Sequence, residues 1–92
     1  MKRLVLSKDF QKQIDDLSPS EQEKIHKTLK SLLNSVKQGG MPKGLGFKKL
    51  SHDKYEIRVD LKTRIVLKDE GDALVLLLAG NHDQIKKYLK NI

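Results

Sequence analysis

The chain contains no cysteine and no tryptophan, only two prolines, and just 4% aromatic residues among its 92 positions. Without cysteine there is no disulfide framework, no thiolate metal site and no cysteine nucleophile, so the core must hold by packing alone. Long hydrophobic runs are missing too. The longest, Ala73 to Gly80, is eight residues, far short of the roughly 20 a membrane-spanning helix needs. No apolar stretch follows Met1-Lys2-Arg3 as a secretory signal requires, and a soluble, cytoplasmic protein is expected. Tracts of low complexity and internal repeats are also absent. What is present is 37% hydrophobic and 34% charged sequence with fifteen leucines, enough apolar area to offset the ordering entropy of one domain over residues 1–92 but not of two.

The net charge is +7, which points to a polyanionic partner. Its distribution is uneven. Residues 1–40 carry +3 with acids interspersed, residues 41–68 carry +5, residues 69–80 carry −3 and residues 81–92 carry +2. The positive charge is therefore concentrated in the middle third.

Leu4, Val5 and Leu6 form a short apolar run before Ser7, which suits a strand ending at a helix N-cap. Phe10, Ile14 and Leu17 recur at helical spacing, predicting a helix over about residues 8 to 17. Ser18-Pro19-Ser20-Glu21 then has the serine, the proline and the later glutamate of a capping box. Ile25, Leu29, Leu32, Leu33 and Val36 continue one stripe until Gly39-Gly40. Met41 to Gly46, with two glycines and a proline, reads as a loop. After it the period changes to two. Tyr55, Ile57, Val59 and Leu61 alternate with Glu56, Arg58 and Asp60, and Ile65 and Leu67 alternate with Arg64, Val66 and Lys68. Asp69-Glu70-Gly71-Asp72 supplies a hairpin turn, and Leu74 to Leu78 suits a central strand buried on both faces. Phe47 to Leu50 is a weaker strand. Ile85, Tyr88, Leu89 and Ile92 have helical spacing after Asn81, a cap.

This order predicts an α+β fold. An N-terminal helical hairpin packs on a sheet of three or four antiparallel strands, and a short C-terminal helix lies back across the sheet. The other sheet face is at least partly open, and Arg58, Arg64 and Lys68 project from it if the register holds.

Lys49-Leu50, Tyr55-Glu56-Ile57-Arg58-Val59, Thr63-Arg64-Ile65-Val66, Leu76 to Leu78, Gly80-Asn81-His82-Asp83 and Tyr88 together resemble the RelE/ParE superfamily of toxins from type II toxin-antitoxin modules. The likeness covers essentially the whole chain and is nearest to RelE-like members. It implies a microbial-ribonuclease-like fold that enters the ribosomal A site and cuts messenger RNA by attack of a ribose 2′-hydroxyl on the adjacent phosphate, with no metal and no small-molecule cofactor. Such chemistry needs a group to take the 2′ proton, a group to protonate the leaving 5′ oxygen, and cations to stabilise charge on phosphate.

The resemblance assigns Arg64 to the family's strand arginine, whose planar fork suits a phosphate. The plain alternative is a surface pair with an acid such as Asp60. Arg58 matches an often basic position and either shares the phosphate or positions the RNA backbone. His82 follows Gly80-Asn81 where relatives carry a catalytic histidine or arginine, and histidine, with an unperturbed pKa of about 6.5, is the residue type suited to acid-base work near neutrality. The alternative is a helix-start histidine that meets only solvent. Tyr88 occupies the region of a family aromatic, yet it also lies on the apolar stripe with Ile85 and Ile92. Lys48, Lys49, Lys54 and Lys68 complete the set as RNA-binding cations. Glu56 shares Arg58's face and is either a base or a cross-strand ion pair. His52 and His26 read as turn and surface residues. Thr63 departs from the family, many of whose members have tyrosine there.

Three functions remain in competition. The first is a ribosome-dependent messenger-RNA endonuclease, for which few aromatics suit backbone rather than base readout. The second is a non-catalytic ParE-like poison of DNA gyrase, and the third an inactive interaction module. In the family a cognate antitoxin blocks the toxin, and an acidic, partly disordered partner complements a +7 surface.

Overall fold

The computed structural model describes residues 3–39 and 46–90; most of the loop expected from Met41 to Gly46 lies outside the described residues. Strand β1 (Arg3–Leu6) runs into helix α1 (Lys8–Asp15) through Ser7, whose hydroxyl accepts a hydrogen bond from the Phe10 N–H at 3.1 Å. That bond satisfies one of the helix's orphan donors. Helix α2 (Pro19–Lys37) opens on the predicted capping box. The Glu21 N–H donates to the Ser18 hydroxyl at 3.3 Å, and the Glu21 carboxylate accepts from the Ser18 N–H at 3.4 Å. Ile25, Leu32 and Val36 are buried, together with Thr28, whose hydroxyl donates to the Lys24 carbonyl at 3.1 Å. Gly39 leaves the helix with a φ of +82°, a left-handed angle that favours glycine.

The remaining elements are β2 (Lys48–Lys49), β3 (Lys54–Arg58), β4 (Arg64–Asp69), β5 (Ala73–Gly80) and α3 (His82–Lys90). All five strands form one sheet in the order β1-β5-β4-β3-β2. The expected three or four antiparallel strands thus become five, and the sheet is mixed, because β1 runs parallel to β5. The reason is packing. Leu4 and Leu6 register with Leu74 and Leu76, and Leu4 packs against the core while Leu6 stays exposed at the edge; a four-residue segment does not declare its partner from sequence.

That face holds the core. Phe10 and Ile14 of α1 and Ile25, Leu32 and Val36 of α2 pack on Ile57, Ile65, Leu67, Leu74 and Leu76. Burial on this scale, at roughly 25 cal/mol per Å² of apolar surface, is what holds a cysteine-free chain together. The stripe's Leu29 and Leu33 are only half-buried, at the margin of the contact.

Two departures from the predicted strands follow from local bonding. Alternation suggested that β3 continues to Leu61, but Leu61 is 91% exposed in the turn after it. There Asp60 accepts hydrogen bonds from the N–H groups of Lys62 at 2.9 Å and Thr63 at 2.8 Å. A carboxylate offering these bonds closes the chain into a turn and ends the strand. In β5, Val66 pairs with Leu78 while Leu67 pairs with Leu76, leaving Leu77 as a bulge. Its extra residue reverses the alternation. Leu74 and Leu76 face the helices, whereas Leu78 and Gly80 stand opposite Val66 and Arg64 on the other face. The burial expected on both sides of Leu74–Leu78 is complete only at Leu74 and Leu76.

Beyond Leu6, β1 stops and side chains take over its role at the edge of β5. The Ser7 hydroxyl donates to the Leu77 carbonyl at 3.3 Å. The Gln13 amide group donates to the Ala79 carbonyl at 3.1 Å and accepts the Ala79 N–H at 2.9 Å. One glutamine thus supplies both bonds a strand residue would.

Candidate functional site

The β3–β4 register sets the second face. Arg58 pairs with Arg64, Glu56 with Val66 and Lys54 with Lys68, alternating with the core pairs Ile57–Ile65 and Tyr55–Leu67. Helix α3 packs back against β5. Ile85 and Val66 are buried outside the principal core, so this side carries a smaller apolar patch of its own. The rest of the face is polar and cationic.

Arg64 is the centre of the site. Its Nη1 lies 3.3 Å from Glu56 Oε2 and 3.4 Å from His82 Nδ1. The Glu56 side chain is 6% exposed and that of Arg64 24%. A carboxylate so far out of water requires a counter-charge. Arg64 therefore pairs with Glu56; the surface acid suggested from sequence, Asp60, instead meets Lys24 at 3.5 Å. The N–H groups of Lys62 and Thr63, and then Lys24, hold the Asp60 carboxyl below its usual range.

His82 is placed by the start of α3. The Asn81 side chain accepts the Gln84 N–H at 2.8 Å, and the Gln84 side chain accepts the Asn81 N–H at 2.8 Å. This reciprocal cap makes His82 the first helical residue and holds it over the end of β5. Gly80 leaves room for this cap, because a Cβ there would lie 2.8 Å from Gln84 Oε1 and displace the Gln84 side chain. Arginine only donates, so a hydrogen bond at this contact has His82 Nδ1 as its acceptor.

Arg58 is exposed beside Arg64 on the adjoining strand. Like charges directly opposite each other destabilise a sheet, and one buried carboxylate offsets only one of them. An anion bound here relieves that repulsion. Lys48, paired in register with Glu56, is on the same face at the β2 edge. Lys54 and Lys68 occupy the face's far end, where Asp53 meets Lys54 Nζ at 3.3 Å and Lys68 Nζ at 3.9 Å. The hydrogen bond from Lys54, reinforced by the charges of both lysines, lowers the Asp53 pKa.

The geometry does not gather every candidate. Lys49 pairs with Tyr55, which belongs to the core-facing set, so Lys49 points to the opposite face from Arg64. Tyr55 itself stacks on Phe47, centroids 4.8 Å apart. Tyr88 is half-buried six residues beyond His82 on α3, about 9 Å along the axis at 1.5 Å per residue. His26, on α2, and His52, in the turn before β3, are both exposed. Glu56, which the sequence offers as either a base or a cross-strand ion pair, is the ion-pair partner of Arg64. Gln84 carries no expectation from sequence, although Asn81-x-x-Gln84 has capping-box spacing. Among the described residues, no group of three or more His, Cys, Asp or Glu side chains could hold a metal ion. No helix among them is long and apolar enough to cross a membrane.

A mixed five-stranded sheet, two helices on one face and a terminal helix on the other, is the fold of RelE-like toxins. A chain of the RelB-RelE antitoxin-toxin complex from Methanococcus jannaschii superposes with a TM-score of 0.70 at 20% identity, over 91% of this chain and 96% of that one. The YoeB dimer from Staphylococcus aureus gives 0.68 at 18% identity, over 88% and 97%. YafQ from E. coli gives 0.66 at 14%, over 92% and 98%. At these identities the likeness is one of fold. No family model matches the sequence, and no curated protein matches it.

Proposed function

We propose that this chain is the toxin of a type II toxin-antitoxin module, a ribosome-dependent endoribonuclease that cleaves messenger RNA in the cytoplasm and is silenced by an acidic antitoxin. The observation that carries this reading is the convergence of Arg64, Glu56 and His82 within 3.4 Å contacts on a cationic sheet face. The shared fold with RelE, YoeB and YafQ toxins supports it.

In the resting site the Arg64 guanidinium is held between a carboxylate and an imidazole. A substrate phosphate competes for the same fork, and with Arg58 alongside it meets two guanidiniums. Drawing Arg64 toward the phosphate releases His82 Nδ1, which can then take up a proton from solvent to give the imidazolium. The 2′-hydroxyl attacks phosphorus and its proton passes to Glu56. The bond from phosphorus to the 5′ oxygen breaks, and the imidazolium protonates that oxygen. The products are a 2′,3′-cyclic phosphate and a 5′-hydroxyl end, and Arg64 and Arg58 stabilise the charge that builds on the phosphoryl oxygens in between.

Induction of the chain in growing cells, followed by primer extension on cellular messenger RNA, tests the reading. Cuts within translated codons, leaving 5′-hydroxyl ends, are expected. DNA-damage signalling without cuts would favour gyrase poisoning, and growth without arrest would favour an inactive module.

A further inference from the structure

We propose that Lys54 and Lys68, bridged by Asp53, form a second phosphate-binding subsite for the RNA strand whose scissile phosphate Arg64 holds; the proposal rests on the RNA-cleaving reading above. The register provides the track. Lys54 and Lys68 are cross-strand partners on the face that carries Arg58 and Arg64, four residues further along the same two strands. At about 3.3 Å per residue the two cationic stations are about 13 Å apart. No single phosphate spans that distance, so two phosphates of one strand are needed to engage both.

Along β3 and β4 the ground between the stations carries no unpaired charge. Val66 is wholly buried, and Glu56 is paired with Arg64. The strand pair thus presents a cationic station at each end, with Lys48 of β2 to one side of the line between them.

The far station is built before any ligand arrives. Asp53 holds Lys54 through one carboxylate oxygen and Lys68 through the other, keeping two ammoniums together that would otherwise repel. One negative charge against two positive leaves a net +1. The Lys54 side chain is 17% exposed and that of Lys68 40%, so Lys68 is the more open arm of the station. Holding the pair in advance lowers the ordering cost of binding an anion there.

The test is binding of an uncleavable 2′-O-methyl oligoribonucleotide to the full chain across a salt series. For single strands, log K falls with log salt by about 0.7 per phosphate neutralised. Lys54→Gln/Lys68→Gln should flatten that slope by about 0.7 or more and weaken binding at low salt, and Asp53→Asn should tighten it. A dinucleoside monophosphate, with one phosphate, should bind wild type and double variant alike. Lys68→Gln alone, at the more exposed position, serves should the double variant fail to fold. An unchanged slope in a folded variant that still binds RNA through Arg64 overturns the second subsite and leaves the nuclease reading standing. Wild-type protein that neither binds nor cleaves RNA overturns both.

Discussion

Replacing Arg64 tests the site, but alanine is the wrong replacement, for a reason the Glu56 pair supplies. From sequence alone, Arg64→Ala is expected to reduce growth arrest and codon-positioned cleavage sharply and to leave the fold intact. The Glu56 carboxylate, however, is 6% exposed and bonded to Arg64 at 3.3 Å. Removing one partner of a buried ion pair costs about 3–5 kcal/mol, because the other charge is left without compensation. Arg64 keeps some solvent contact, so the lower end, about 3 kcal/mol, applies. Against a total stability of roughly 5–14 kcal/mol for a chain of this length, that is a large fraction, and it lowers the melting temperature by roughly 12–24 °C. Loss of toxicity in such a variant would not separate chemistry from unfolding. Arg64→Lys separates them. It keeps a cation beside Glu56 but loses the planar fork that grips a phosphate, so thermal unfolding followed by circular dichroism should stay within a few degrees of wild type while codon-positioned cleavage falls by about 100-fold or more. Arg64→Ala/Glu56→Gln should recover most of the stability that Arg64→Ala loses. Wild-type cleavage by Arg64→Lys, or wild-type stability of Arg64→Ala, would refute the reasoning.

Three further outcomes are expected. His82→Gln, at an exposed position, should leave the melting temperature unchanged and lower single-turnover cleavage by roughly 10²–10⁴-fold; a fully active variant would remove His82 from the chemistry. Gly80→Ala should push Gln84 off its cap, cost about 1 kcal/mol in urea unfolding and reduce cleavage, and a neutral result would mean that the cap is not what holds His82. Asp60→Asn probes pH. The folded-state pKa of Asp60 is depressed by the Lys62 and Thr63 N–H groups and then Lys24, so the aspartate binds protons less readily folded than unfolded. Its contribution is present above the unfolded pKa of about 3.9 and lost as pH falls through the lower folded value. The variant should therefore be less stable than wild type at neutral pH, the two converging in acid; a gap that persists or widens there would contradict the sign.

Helices were the most legible part of the sequence, because each announces itself locally. Ser7 and the Ser18–Glu21 box sit where capping requires. The sheet was less so. Hairpin strands β3 and β4 alternate cleanly, but the parallel docking of β1 on β5 depends on contacts some 70 residues apart, which no local period encodes. The Leu77 bulge was hidden for a related reason: in a run of leucines an extra residue leaves no mark on the pattern, although it decides which face each side chain takes. At the site, Arg58, Arg64 and His82 could be named from residue type and likeness to a family, and Lys54 and Lys68 from charge. Burial could not be read in the same way. A strand glutamate beside an arginine looks like a surface pair until neighbouring elements cover it, and Lys49 looks like Lys48 until the register assigns their faces.

Gln13 has a consequence for what this sheet can join. Past Ser7 the edge of β5 is closed by one amide that gives and takes a bond at Ala79. An intruding backbone must first evict that glutamine from both, so the border nearest Gly80 resists recruitment into larger β assemblies. Neither a carboxylate nor an ammonium can stand in, since each offers only half of the exchange.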